Sequence, residues 1–383
     1  MKVLIQQPRL PHYRVPLFAG LTQKLGWDLT VVYSSHASRD ESGIEANHGV
    51  CFHRVNLMQR TYQLAGMQLK FQRGLLALLR SEPWDAVFLE GAQGNLSGYL
   101  AALWCRRRGV PCIWWTKGYF EPQNALRRML HRMQLKAPHV FLPYGDSTHE
   151  FLKQYGVRQE QIVRAYNTVD VEDKHQRIDS LREMGRCMLQ SVFGEQIPRP
   201  LIVYVGRLTA GKRVEDAIQS LHYLANDKGT RATLWVVGDG SRRENLEQLA
   251  HSLGLPSQVV FAGRVPLDGD AAALSVSDVC VFPGDHGLAI NIAMAVGTPV
   301  VAADLPGPDG EMVIQGETGW RFPVGDTAAL AEAVLEALHA PNHDAIVQRA
   351  QWEILSRRSL SRYAEAFQEA ILRAQDIVRS GAE

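Results

Sequence analysis

Hydrophobic positions fall into short runs separated by longer stretches with helical spacing, and this alternation predicts the architecture. Val3–Gln6, Leu29–Tyr33, Ala86–Glu90, Cys112–Trp115, Val140–Pro143 and Ile162–Ala165 are brief runs rich in β-formers or apolar residues. Helical patterns lie between most of them, at Val15–Leu25, Leu69–Arg80, Leu96–Arg108 and Ser147–Tyr155. A polar segment after Asp170 predicts a helix closed by a proline-bearing connector. The alternation then restarts, with strands expected at Leu201–Val205, Leu234–Val237, Val259–Phe261, Val279–Phe282 and Val300–Ala303. Their helices are Arg213–Asn226, Arg242–Leu253, Leu267–Ser275 and Leu288–Val296. Strand and helix alternating in this way implies parallel sheets covered on both faces. The expected fold is α/β, with two doubly wound Rossmann-like domains facing across a cleft. Residues 1–170 form the first and 171–356 the second, and an amphipathic C-terminal helix within 357–383 packs back on the first.

Length agrees with that division, because 383 residues exceed one core of ordinary size. Charge is uneven although its sum is only +1. Residues 1–170 hold 21 Lys+Arg against 12 Asp+Glu, leaving 20 against 28 for the remainder. A basic half of +9 beside an acidic half of −8 points to an anionic partner for the first. The five cysteines are odd in number and show no metal-type pair, which implies free thiols in a reducing compartment. The chain starts in a strand pattern without a signal-peptide core and contains no membrane-length apolar run, so a cytoplasmic location is expected.

The densest chemistry lies in Val279–Glu311, where a strand, a glycine turn, a helix and a second strand follow one another. Gly284 and Gly287 let backbone approach a ligand, and the helix that follows offers unpaired N–H groups to an anion. In Tyr204–Lys212, YVGRLTAGK, Gly206 and Arg207 end a strand and Lys212 precedes the next helix. An arginine fork and a lysine at one edge suit a diphosphate; a solvated basic turn is the alternative. Gly238 and Gly240 flank Asp239 in a βα turn that lacks the full dinucleotide fingerprint. Gly263, Arg264 and Val265 end a further strand on the same edge, where backbone could read a nucleobase.

Together VGRL…K, VVGDG, FAGRV, GLAINIAMAVGTPVVAADLPGP and GETGWRFPVGD resemble the nucleotide-sugar half of the retaining, family-4-like glycosyltransferases of GT-B architecture. PHYRVPLF, WWTKGY and YNTVDVE extend the resemblance into the first half. It implies transfer of a sugar from a UDP- or GDP-sugar to a glycan or lipid-linked acceptor, in surface polysaccharide or lipopolysaccharide synthesis. Arg207 and Lys212 match the family's phosphate pair, and Gly287 with Leu288 its backbone contacts to the diphosphate. No metal and no cofactor are implied, the nucleotide-sugar being a substrate; nucleic acid is not among the implied partners. Tyr13, Arg14 and Gly118 fall on the acceptor side, and His286, Lys117 and Asp309 are further candidates for the reaction or the donor.

Two departures stand out. Most of these enzymes carry two glutamates in the turn-helix, at positions held here by Gly284 and Ile292. The sequence is closer to a subgroup with PG-x-x-GL, of which Pro283, Gly284, Gly287, Leu288 and Asn291 are present. Lys117 stands where a histidine is frequent. An epimerase or hydrolase of nucleotide sugars, and a degenerate non-catalytic binding partner, are the competing readings.

Finally, NALRRMLHRMQLK places Leu126, Met129, Leu130 and Met133 on one helical face and Arg128, Arg132 and Lys136 towards another. Packing of the apolar face against the core is the expectation. Peripheral contact with the inner face of a membrane is the alternative.

Overall fold

The computed structural model describes residues 1–34, 50–64, 67–118 and 125–381. Two compact units divide the chain, Met1–Val169 with Leu360–Glu383, and Asp170–Ser359.

In chain order the first unit holds β1 (Lys2–Gln6), α1 (Val15–Leu25), β2 (Asp28–Tyr33), β3 (His53–Asn56), β4 (Gln59–Leu64), β5 (Met67–Gln72), α2 (Leu75–Ser81), β6 (Ala86–Glu90), α3 (Leu96–Arg108), β7 (Cys112–Thr116), α4 (Ala125–Gln134), β8 (Val140–Pro143) and α5 (Asp146–Gln154). The second holds α6 (Val171–Gln176), α7 (Ile178–Phe193), β9 (Leu201–Val205), α8 (Val214–Asp227), β10 (Thr233–Val237), α9 (Arg243–Ser252), β11 (Val259–Gly263), α10 (Gly269–Ser275), β12 (Val279–Phe282), α11 (Ala289–Val296), β13 (Val300–Asp304), β14 (Trp320–Pro323), α12 (Thr327–His339) and α13 (His343–Arg357). The last helix, α14 (Leu360–Ser380), belongs to the first unit.

Each unit is a six-stranded parallel sheet, ordered β3-β2-β1-β6-β7-β8 in the first and β11-β10-β9-β12-β13-β14 in the second. Strand order reverses once in each, between β1 and β6 and between β9 and β12. In open sheets of this kind ligands bind outside the carboxyl ends of the strands, at that reversal. Helices cover both faces, so β9, β10 and β12 are buried along their whole length, as the unbroken runs LIVYV, TLWVV and VCVF require.

The core of the first unit is aromatic. Trp115 of β7 meets Phe367 of α14 at 5.1 Å and Tyr363 at 5.8 Å, and Phe88 of β6 stacks on Phe367 at 4.7 Å. Hydrophobic burial at those residues, with Ala370, Ile371 and Ala374 along the same helix face, holds α14 on the sheet.

Four sequence expectations need correction. Leu69–Arg80 is not one helix: Met67–Gln72 is a strand paired antiparallel with β4, and the helix starts only at Leu75 after Gly74, whose φ is +98°. Ile162–Ala165 forms no strand; a single bridge joins Ile162 to Phe141. The short edge strands β3 and β14 have no counterpart in the expected set. The apolar face of α4 does not pack on the core, since Met129 and Met133 are each 53% exposed and Leu130 is 39% exposed. Instead His131 and Leu135 are the buried anchors. Tyr119 of the WWTKGY motif and the side chain of Leu126 lie outside the described residues.

Candidate active site

In the second unit the loops that leave β9, β10 and β12 lock to one another at the strand reversal. The Gly206 N–H donates to the Val237 carbonyl at 3.0 Å, and the Leu208 N–H to the Asp239 carbonyl at 3.0 Å. The Asp285 N–H donates to the Gly211 carbonyl at 2.9 Å. Gly284 is where the β12 loop passes closest to the β9 loop: a Cβ there would lie 2.2 Å from the Gly211 carbonyl oxygen. Only glycine permits that approach.

Lys212 is fixed by the same contact. Its Nζ donates to the Asp285 carbonyl, and a Cβ on Gly287 would stand 3.1 Å from it. Gly287 has φ +66°, which turns the chain into Leu288 and α11. No described side chain caps the start of α11, which follows Gly287 directly and so brings the positive end of its dipole near the ammonium. Arg207 is exposed on the neighbouring loop and forms no ion pair among the described residues. Its backbone carbonyl is held by the Tyr204 hydroxyl at 3.0 Å. Burial pushes the Tyr204 phenol well above its ordinary range, with Cys280 adding to the rise and Arg207 opposing it, so Tyr204 stays a neutral donor. Two cations and the start of a helix thus share one edge.

The remaining donor-side candidates divide. Gly238 and Gly263 are joined by a 2.8 Å backbone bond, and Gly240 takes a cap from the Asp239 carboxylate at 2.9 Å. Arg264 is exposed, 4.0 Å from the Asp239 carboxylate, with Val265 beside it. These belong to the same edge. Asn291 is fully buried inside α11, and Ile292, at a position where the family pattern has a glutamate, is also buried. Asp309 closes a short 3-10 turn, Gly307–Asp309, but its side chain lies outside the described residues.

His286, a candidate reacting group by sequence, is buried and turned towards β13. Its ring is 3% exposed, 6.0 Å from Phe282, and Nε2 lies 3.1 Å from the Ala303 carbonyl, which only accepts. The nitrogen therefore donates into β13, away from the loop surface. Two residues of the edge went unnoticed in the sequence, Gly211 and Asp285, although the glycine before Lys212 was the available signal.

The first unit has its own edge. Arg14 is buried, donates through Nη2 to Asn167 Oδ1 at 2.5 Å and lies over the Trp115 ring at 4.5 Å. Tyr13 beside it is exposed. The Tyr144 phenol is pushed up to about 12 by burial, against the pull of Arg14. Glu90, at the end of β6, was not singled out by sequence. Burial raises its carboxyl above the usual range while Lys70 and Arg9 oppose the rise. Its N–H is held by Gln6 Oε1 at 2.9 Å, and Asn95 donates to its carbonyl at 3.0 Å. Lys117 is exposed, its carbonyl accepts from Thr148 Oγ1 at 2.6 Å, and the Gly118 N–H donates to Thr116 Oγ1 at 3.1 Å. Among the described residues no group of His, Cys, Asp and Glu is placed to hold a metal, and no helix is long and apolar enough to cross a membrane.

Comparison with known proteins matches residues 17–173 to Glycosyltransferase Family 4 and residues 199–340 to Glycosyl transferases group 1. Among curated relatives, N-acetyl-alpha-D-glucosaminyl L-malate synthase of Bacillus anthracis is 27% identical over 50% of this chain and 47% of its own length. The lipopolysaccharide core biosynthesis glycosyltransferase LpsE of Rhizobium meliloti is 33% identical over 35% of this chain and 38% of its own. The chain thus spans less than half the length of these relatives. Anabaena HepE, solved in complex with UDP, shares the fold with a TM-score of 0.71 at 16% identity, covering 97% of this chain and all of that one. A glycosyltransferase from Rickettsia africae superposes with a TM-score of 0.75 at 15% identity, over 97% and 98% of the two chains.

Proposed function

From the premise that this chain is a glycosyltransferase, built of a Family 4 domain and a group 1 domain, we propose that it moves a sugar from a nucleoside diphosphate sugar to a glycan or lipid-linked acceptor with retention of configuration. The observation that carries this is the edge where Lys212, exposed Arg207 and the start of α11 converge.

That edge does chemistry by charge. When the bond from the anomeric carbon to the diphosphate breaks, negative charge grows on the departing phosphate oxygen. The Lys212 ammonium and the Arg207 guanidinium stabilise it, and the α11 N–H groups hold the diphosphate in place. The acceptor hydroxyl bonds to the anomeric carbon on the same face, and its proton passes to the departing oxygen. Positioning and fixed positive charge then do what a divalent ion does elsewhere, and no metal or other cofactor takes part. Gly263, Arg264 and Val265 take the nucleobase, and the basic first unit, with Tyr13, Arg14, Lys117 and Gly118, takes the acceptor.

UDP in the HepE structure supports a uridine donor, and LpsE supports lipopolysaccharide or a related surface glycan as the product. Epimerisation or hydrolysis loses ground because His286, its one evident acid-base candidate, is committed to the Ala303 carbonyl.

The test is a turnover screen of UDP- and GDP-sugars with glycan and lipid-linked acceptors in EDTA, reading nucleotide release and the anomeric configuration of the product by NMR. Retained configuration at undiminished rate supports the reading. An inverted product, metal-dependent turnover, or no release from any donor contradicts it.

A further inference from the structure

Helix α4 turns the wrong way for a helix that only packs. Its buried side is His131, whose ring lies 5.5 Å from Phe151 and 5.2 Å from Tyr155, together with Leu135 just past its end. Gln134 donates to the Gln93 carbonyl at 3.2 Å and completes the anchor. The side left in solvent carries Met129, Leu130 and Met133, set among Arg128, Arg132 and Lys136. Arg128, Met129, Arg132, Met133 and Lys136 line one shallow surface hollow.

No Asp or Glu occurs between Ala125 and Lys136, and none of these three cations forms an ion pair among the described residues. Arg132 only leans over the Tyr155 ring, at 5.9 Å. Three large apolar side chains held in water carry no packing return, and the three unpaired positive charges around them give the face a strongly basic rim.

We propose that this face docks the chain on an anionic lipid bilayer. The charge selects the occupant: Arg128, Arg132 and Lys136 meet lipid phosphates, and Met129, Leu130 and Met133 sink into the boundary between headgroups and acyl chains. A nucleic acid would answer the cations and leave the methionines in water. An apolar protein groove would answer the methionines and bury the cations. The inference stands apart from the sugar-transfer reading, because vesicle binding needs no donor.

The test is co-sedimentation of the full chain with phosphatidylcholine vesicles and with vesicles containing added phosphatidylglycerol. The wild-type chain is expected to pellet with the anionic vesicles alone. M129E/M133E should weaken that binding at least tenfold. R128Q/R132Q should cost about fivefold per cation removed, and added salt should act in the same direction. All substitutions are on exposed side chains, and unchanged melting temperatures identify intact folds. Failure of the wild-type chain to pellet, or equal pelleting of M129E/M133E, overturns the proposal. So does a wild-type dimer in sedimentation velocity that M129E/M133E splits, which would assign the face to a second copy of the chain.

Discussion

The N–H of Asp285 donates to the carbonyl of Gly211 at 2.9 Å, and this bond ties the turn after β12 to the loop that carries Lys212. Gly284 sits at the crossing, where a Cβ would meet the Gly211 oxygen at 2.2 Å and the Lys212 carbonyl carbon at 2.8 Å. Both neighbours are backbone and cannot step aside alone. Gly284→Ala is therefore expected to cost about 1–3 kcal/mol of stability and to weaken UDP binding by moving Lys212. Thermal melting and calorimetry check this; wild-type values in both would show that the loops are not interlocked as described.

His286 supplies the opposite expectation. Because its Nε2 bonds to Ala303 inside the unit, His286→Ala should lower stability by about 1–3 kcal/mol through the unsatisfied carbonyl and the void. The pH dependence of turnover should keep its shape. A lost limb in the pH profile would return His286 to the chemistry.

Acid should destabilise the first unit through two buried histidines. Burial depresses both His131 and His139 from about 6.5 to about 4, with Arg106 adding to the effect at His139. The Cys112 N–H donates to His139 Nδ1 at 3.1 Å, a bond that protonation of that nitrogen removes. Between pH 6.5 and 4 the unfolded chain takes up protons that the folded chain refuses, so stability falls as pH falls through that window. A shift of this size corresponds to at most about 3 kcal/mol for each histidine, less where solvent reaches the ring. Denaturant unfolding at pH 7 and pH 4.5 measures it, and equal stability at the two would refute the assignment.

Phe367 tests the anchoring of α14. Its ring touches Phe88, Trp115 and Tyr363 and is fully buried, so Phe367→Ala should cost about 3–5 kcal/mol. Limited proteolysis should then cut near α14 first. A melting temperature unchanged from wild type would place the helix elsewhere.

Much of this fold is legible because both sheets are buried on both faces. Ala86–Leu89 and Leu201–Val205 read directly as unbroken apolar runs, and Leu96–Arg108 as a helix that Asn95 caps through the Gly98 N–H. The failures arise where local pattern and tertiary partner disagree. LKFQRGLLALLR has helical spacing, yet its first residues pair with Gln59–Leu64, a partner that periodicity cannot reveal. The apolar residues of α4 are evident in the sequence, but which side is buried depends on Phe151 and Tyr155, against which His131 packs. At the site, Arg207, Lys212 and Gly287 are found by motif. The orientation of His286 is not, since it is set by a carbonyl 17 residues further on.

The central claim, that the edge around Lys212 holds a nucleoside diphosphate, is tested most directly by titrating UDP into the wild-type chain and into Arg207→Ala/Lys212→Ala in a calorimeter. The account predicts binding by the wild type and a loss of about 100-fold or more in the double variant with the melting temperature preserved, two charge-assisted contacts having been removed. Equal affinity in both proteins, or no binding to either by UDP or GDP, would contradict it.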